Sequence, residues 1–422
     1  MICGFLVLIL VGTGFVYWNH TSIPFLKNEP NASNTKDSNP KMDDQLQNNE
    51  TEKLAPQNTP GQSENVISSK DLHAQSALLM DASNYRVLYE KSGFKTMPMA
   101  STTKIMTLLI VLENANLEDI VTVSKYASTM PDVQLGIRKD EQYKLGDLVY
   151  SLMLESHNDT AVAIAEHVGG SVEGFASMMN AKAKELGCEN TNFVTPNGLD
   201  ADGHYTTAAD LAKIASYAIQ NKKFIEITNT SSWSFKELSK GRTFSVNNKN
   251  RFLGLMKGAI GIKTGFTGKA GFCFVGALKK NGKTFVSVVL ACGWPPQKNY
   301  KWSDTTKLMN YGLDYYTYKT LYQGKNDLKT ILVEDGIEKE TNTYSEGYLK
   351  LLMNDNEKVE YLYETPDILK APTKKGNTIG YVKILIDGTL YEKYPIKVSK
   401  TIPKIDYKYC FDRILNIFLL GS

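Results

Sequence analysis

Ser101-Thr-Thr-Lys104, Ser156-His-Asn158 and Lys263-Thr-Gly265 hold the residue types of a serine acyl-transfer site in which an amine replaces imidazole as the base. A serine hydroxyl is a weak nucleophile until a neighbouring group takes its proton. A lysine three positions further along a helix lies on the same face, one turn away. Desolvation and a second nearby cation lower a lysine's pKa, so the free amine can serve as base. A serine at a helix start also lies beside backbone N–H groups, aimed where negative charge would develop on an attacked carbonyl. The three strings lie 55 and 107 residues apart, so only folding can unite them.

Each string has weaker copies or a plain structural reading. Ser-x-x-Lys also occurs at Ser33–Lys36, Ser38–Lys41 and Ser92–Lys95, in polar or turn-like surroundings. Ser-x-Asn recurs at Ser245-Val-Asn247, which reads as a polar loop. Taken alone, Ser101 could be a helix cap, Ser156 a loop cap, and Lys263 an edge-strand lysine that discourages aggregation. Their joint order on suitable elements favours chemistry. Only Ser101 opens a long apolar helix, with Ile105, Leu108, Leu109 and Leu112 at helical spacing. Lys263-Thr-Gly265 occurs once, on a predicted strand flanked by Gly258, Gly261 and Gly268. Glycines there let a substrate backbone approach.

The elements that must position these residues follow from periodicity. Ser76–Met80 and Arg86–Glu90 flank Ala82-Ser-Asn-Tyr85 as a hairpin. Tyr143–Gly169 reads as two helices broken around Ser156-His-Asn158. Ser171–Leu186 and Thr207–Asn221 read as further helices. The period then becomes β-like over Gly258–Phe266, Gly271–Leu278 and Thr284–Cys292, with an Asn281-Gly282 turn between the last two. Ser303–Tyr318 reads as a closing helix. Strands, then helices, then strands argue for a mixed sheet covered by helices rather than a repeating βαβ array. From Asp327 to Val398 short β-rich runs alternate with turns such as Asp387-Gly388, the signature of a small all-β domain.

Both ends differ from the body. Ile2–Trp18 is apolar with no charged side chain before Lys27, which suggests a signal peptide or signal anchor at 1–18. Residues 19–70 are polar and poor in large apolar side chains, a composition expected of a solvated linker. In the tail, Phe411, Ile414, Leu415 and Phe418 share a helical face opposite Asp412, Arg413 and Asn416. Such a helix at 404–422 could lie in a membrane interface or dock on the β domain.

The whole chain narrows the alternatives. A net charge of +3 over 422 residues carries no nucleic-acid footprint. Five cysteines without a C-x-x-C, and five histidines without H-x-x-x-H, leave no zinc pattern; the cysteines read as buried free thiols. No metal or cofactor is expected.

With these motifs, and with Ala100-Ser-Thr-Thr-Lys-Ile-Met106, Asn197-Gly-Leu-Asp-Ala-Asp-Gly-His-Tyr205 and Gly261-Ile-Lys-Thr-Gly-Phe-Thr267, the chain resembles the D-alanyl-D-alanine carboxypeptidases, low-molecular-mass penicillin-binding proteins. The resemblance implies an α/β (α+β) DD-peptidase/β-lactamase-like domain at 71–321, an antiparallel sheet flanked by helices, and a small β-sandwich at 322–403. It implies acylation of Ser101, with Lys104 as base and Ser156 relaying a proton to the leaving amine. Asn158 would hold the substrate amide, and Lys263 and Thr264 its carboxylate. Gly265 would lie along the substrate, and the amides of Ser101 and Phe266 would form the oxyanion hole. It implies peptidoglycan stem peptides as substrate, β-lactams as covalent inhibitors, and action at the outer face of the cytoplasmic membrane. A β-lactamase-like hydrolase and an inactive peptidoglycan-binding scaffold are the alternatives. Two positions depart from the family: His157, where a small residue is usual, and Lys301, the nearest cation where relatives can use arginine.

Overall fold

The computed structural model describes residues 67–420. The expected leader at 1–18 and nearly all of the linker at 19–70 lie outside them. The last linker positions, Ser69 and Lys70, belong instead to a 3-10 turn, Ser69–Asp71, capped by the Ser68 hydroxyl.

Strands β1 (Ser76–Asp81) and β2 (Arg86–Lys91) form the expected hairpin. A 3-10 turn, Ala100–Thr103, then leads into α1 (Lys104–Asn114). Next come β3 (Ile120–Thr122), β4 (Gln142–Lys144), α2 (Leu145–Leu154), α3 (Asn158–Gly169), α4 (Val172–Glu185), α5 (Ala208–Ala218) and α6 (Lys222–Asn229). Strands β5 (Ser232–Lys236) and β6 (Thr243–Asn247) pair as a hairpin, so Ser245 lies in a strand, not a polar loop. Then follow β7 (Ala259–Thr267), β8 (Gly271–Lys280), β9 (Lys283–Leu290) and α7 (Tyr300–Tyr315). Asn281 and Gly282 both have positive φ, 54° and 74°, as the primed two-residue hairpin turn requires.

The main sheet has the order β2-β1-β9-β8-β7 and is antiparallel throughout, not mixed. Its central strands are almost continuously apolar, broken within β9 by the buried Ser287, because both faces are covered. Alternate residues feed two cores. Leu78, Met80, Val286, Val288 and Val275 face α1 and the helical half. Ala77, Leu79, Phe285, Val289 and Phe274 face α7. Helix α1 packs against α2 through α6, and Lys104–Val111 are all buried. Its apolar stripe thus marks a helix buried on every side, not one half exposed to solvent. Lys104 therefore begins a helix whose first two turns have almost no access to water.

The remaining strands are β10 (Thr317–Lys325), β11 (Thr330–Glu334), β12 (Glu340–Met353), β13 (Val359–Glu364), β14 (Ile368–Lys370), β15 (Thr378–Ile386) and β16 (Thr389–Val398). They follow the order β13-β15-β16-β12-β11-β14, with β10 on β12. The first of these strands crosses the 321/322 division drawn from the sequence. Helix α8 (Tyr407–Leu420) closes the described chain with Phe411, Ile414, Ile417 and Phe418 exposed, Phe418 at 89%. Among the described residues no helix is long and apolar enough to cross a membrane. Cys188, Cys273 and Cys292 are buried free thiols as expected, but Cys410, in α8, is exposed.

Candidate active site

Folding brings the three strings to one cleft of about 430 Å³, lined among others by Ser101, Ser156, Thr264, Gly265 and Phe266. Ser101 lies in the 3-10 turn before α1. The preceding residue, Ala100, holds a positive φ of 47°, a conformation that costs an alanine energy. Two glycines clear space around that turn. A Cβ on Gly198 would stand 2.1 Å from the Ala100 carbonyl oxygen. One on Gly265 would stand 3.0 Å from the Ser101 nitrogen and 3.1 Å from the Thr102 nitrogen. Strand β7 can therefore run directly against the nucleophile turn only because position 265 has no side chain.

Lys104 Nζ lies 2.9 Å from Ser101 Oγ, 2.8 Å from Asn158 Oδ1 and 2.6 Å from the Asn197 carbonyl. The Asn158 amide is oriented by its own nitrogen, which donates to the carbonyls of Pro131 and Asp132 at 3.2 and 3.0 Å. Its oxygen is thus turned toward the lysine. Two of the three Nζ partners can only accept. A neutral amine satisfies both with its two hydrogens and leaves its lone pair for the Ser101 hydroxyl. Burial holds the Lys104 pKa well below the ordinary lysine range; the nearby Lys263 lowers it further, and Asp159 opposes.

Lys263 is 2% exposed, and its Nζ donates to the Thr264 carbonyl at 3.0 Å. Burial lowers its pKa to about 7. Ser156 has a positive φ of 72°, and its buried Oγ has no hydrogen-bond partner among the described residues. A buried hydroxyl left unpaired in a cleft marks a place where a ligand can supply the missing partner. The structure thus bonds both Ser101 and Asn158 to Lys104, and sets Ser156, Thr264, Gly265 and Phe266 on the same cleft. It does not bond Lys263 to Ser156.

His157 is turned inward, away from solvent and from the cleft lining. It is 4% exposed beneath the loop, with Nδ1 2.7 Å from Ser151 Oγ and Nε2 3.4 Å from Glu155 Oε2. Burial lowers its pKa, against the opposing pull of Asp159 and Glu155. Lys301 lines the cleft from α7. Its Nζ donates to the Lys298 carbonyl at 2.6 Å and lies over the Phe272 ring at 4.4 Å. Three features escape sequence reasoning: the Asn197 carbonyl, the cations Lys249 and Arg251, and the acid Glu155. The first had a faint signal in the tight turn at Gly198; the others had none.

Residues 63–293 match the family model of peptidase S11, D-alanyl-D-alanine carboxypeptidase, and residues 316–404 match the C-terminal domain of penicillin-binding protein 5. The chain belongs to the D-alanyl-D-alanine carboxypeptidase family. It is 29% identical over 345 residues to the D-alanyl-D-alanine carboxypeptidase DacF of Bacillus subtilis, covering 79% of this chain and 87% of that one. Penicillin-binding protein 5 of Haemophilus influenzae superposes with a TM-score of 0.62 at 25% identity, covering 82% of this chain and 99% of that structure. The DD-transpeptidase of Streptomyces K15 superposes with a TM-score of 0.54 at 34% identity, covering 57% of this chain and 97% of that structure. The antiparallel sheet with its helices and the following all-β domain are those of this family, and the protein is a serine-type D-Ala-D-Ala carboxypeptidase.

Proposed function

We propose that the enzyme removes the terminal D-alanine of peptidoglycan stem peptides through an acyl-enzyme on Ser101. Ser101 Oγ attacks the carbonyl of the penultimate D-alanine while its proton passes to Lys104 Nζ. The backbone amides of Ser101 and Phe266 receive the developing oxyanion, a contribution of about 3–4 kcal/mol per donor. The proton then travels through Ser156 to the departing amine, and free D-alanine leaves. Water enters, gives a proton to the lysine, and cleaves the ester to restore Ser101. Asn158 holds the lysine and the substrate amide; Lys263 and Thr264 hold the terminal carboxylate.

One observation carries this reading. A buried amine with two acceptor-only partners points its remaining position at a serine oxygen 2.9 Å away. The unpaired Ser156 hydroxyl supports a relay that becomes complete only when substrate binds. β-Lactams would acylate the same oxygen. Incubating the protein with penicillin and measuring intact mass tests it: one adduct, mapped to Ser101 and absent in Ser101→Ala, is expected. A wild-type protein that gains no mass contradicts it.

The enzyme acts outside the cytoplasmic membrane in this reading, exported by residues 1–18 and set off by the linker. The catalytic body and the β domain would stand on α8, whose exposed apolar side chains suit a lipid interface.

A further inference from the structure

The cleft holds more positive charge than the reaction above employs. Lys249, Arg251, Lys298 and Lys301 line it beside Ser101, and Glu155 is the one acidic residue among the lining side chains. Glu155 is already engaged. Its Oε1 accepts from the Asn247 amide at 3.0 Å and lies 3.0 Å from Lys249 Nζ. Its Oε2 faces His157 Nε2, and His157 is in turn braced on the Ser151 hydroxyl. A buried imidazole thus props the carboxylate that holds Lys249 at the rim. Among the described residues Lys301 has a carbonyl and two aromatic rings as its partners. Among the described residues Arg251, Lys298 and Lys301 make no ion pair with an acid.

A D-Ala-D-Ala terminus brings a single carboxylate, assigned above to Lys263 and Thr264. Three further cations without counter-charge repel one another, and apolar walls at Val133, Phe266 and Phe272 concentrate their field in the cleft. A ligand with additional negative charge relieves that repulsion. We propose that the cleft selects stem peptides whose acyl portion carries further free carboxylates, with Arg251 and Lys298 as the groups that discriminate carboxylate from amide. This rests on the carboxypeptidase reading and narrows its substrate class.

An acid and its amide have nearly the same shape, so a matched pair isolates charge. The test uses two D-Ala-D-Ala-ended peptides that differ only in a glutamyl or glutaminyl side chain just before the D-alanines. At about 20 mM salt the acid is expected to have a kcat/KM about tenfold higher than the amide, shrinking to about twofold at about 500 mM. The double variant Arg251→Gln, Lys298→Gln is expected to lose the preference; a penicillin adduct on Ser101 shows that it is folded. Equal kcat/KM for both peptides in the wild type overturns the proposal whatever the variant does. So does a preference that survives in the folded variant. Release of D-alanine from neither peptide overturns the carboxypeptidase reading, and this inference with it.

Discussion

A methyl group on Gly265 would stand 3.0 Å from the amide nitrogen of Ser101. The strand bearing the third motif is therefore pressed against the backbone of the first, at the spot where the proposed oxyanion donors converge. Gly265→Ala is expected to push β7 away from the nucleophile turn by a few tenths of an ångström. A misplacement of about 1 Å costs about 10²-fold in kcat/KM, so a shift of a few tenths is expected to cost about tenfold. D-alanine release and the rate of penicillin acylation should fall together. Loss of less than about threefold in both would show that the contact is not needed.

Lys263 is a cause of the low Lys104 pKa, second after burial. Replacing it with methionine removes a neighbouring positive charge, so protonating Lys104 becomes easier and its pKa rises. The acid limb of the acylation rate should then move to higher pH in Lys263→Met. An acid limb that stays in place or moves down would remove Lys263 from the activation of the base.

His204 is buried behind the nucleophile turn, with Nε2 2.9 Å from Thr103 Oγ1 and Nδ1 accepting the Val194 amide at 3.0 Å. Burial lowers its pKa from 6.5 to about 4. A neutral native imidazole means that, below pH 6.5, the unfolded chain binds a proton the folded chain refuses. Its contribution is thus complete above about pH 6.5 and is lost as pH falls toward 4, a change of about 3 kcal/mol. Denaturant melts across that window should show the slope, and His204→Gln should flatten it. A slope unchanged in the variant assigns the effect elsewhere.

Penicillin should acylate the enzyme and leave slowly. The single carboxylate lining the cleft, Glu155, is tied to Lys249, the Asn247 amide and His157, so none is free to activate water. The adduct is expected to outlast its own formation by orders of magnitude in time-resolved mass spectra. Rapid turnover of penicillin would favour a β-lactamase-like hydrolase.

Ending the chain before Tyr407 removes α8 and its exposed apolar side chains. The shortened body should lose binding to anionic lipid vesicles while still releasing D-alanine from a soluble peptide. Vesicle binding that persists in a form also lacking residues 1–66 would take the membrane role away from α8.

The fold was legible wherever local pattern and tertiary role coincide. The β1–β2 hairpin, the Asn281-Gly282 turn and the helix break at Ser156 each follow from turn chemistry and period. Helix α6 and the β5–β6 hairpin were not legible because they are short, eight and five residues per element, even though Phe224, Ile227 and Thr228 share a helical face and Trp233, Phe235, Phe244 and Val246 alternate with polar side chains. At the site, motif spacing named the side chains that meet around Ser101. It could not name the Asn197 carbonyl, since every residue carries one. Nor could it show that His157, in a polar stretch that reads as surface, turns inward because Ser151 one helix earlier is there to receive it.

The account rests on Lys104 being an uncharged amine beside Ser101. The rate of Ser101 acylation by penicillin, followed by mass from pH 5 to pH 10, tests this most directly. A base held well below the ordinary lysine pKa predicts a rate that reaches its plateau well short of pH 10. A rate that climbs about tenfold per pH unit through the alkaline range, as an ordinary lysine would impose, contradicts it.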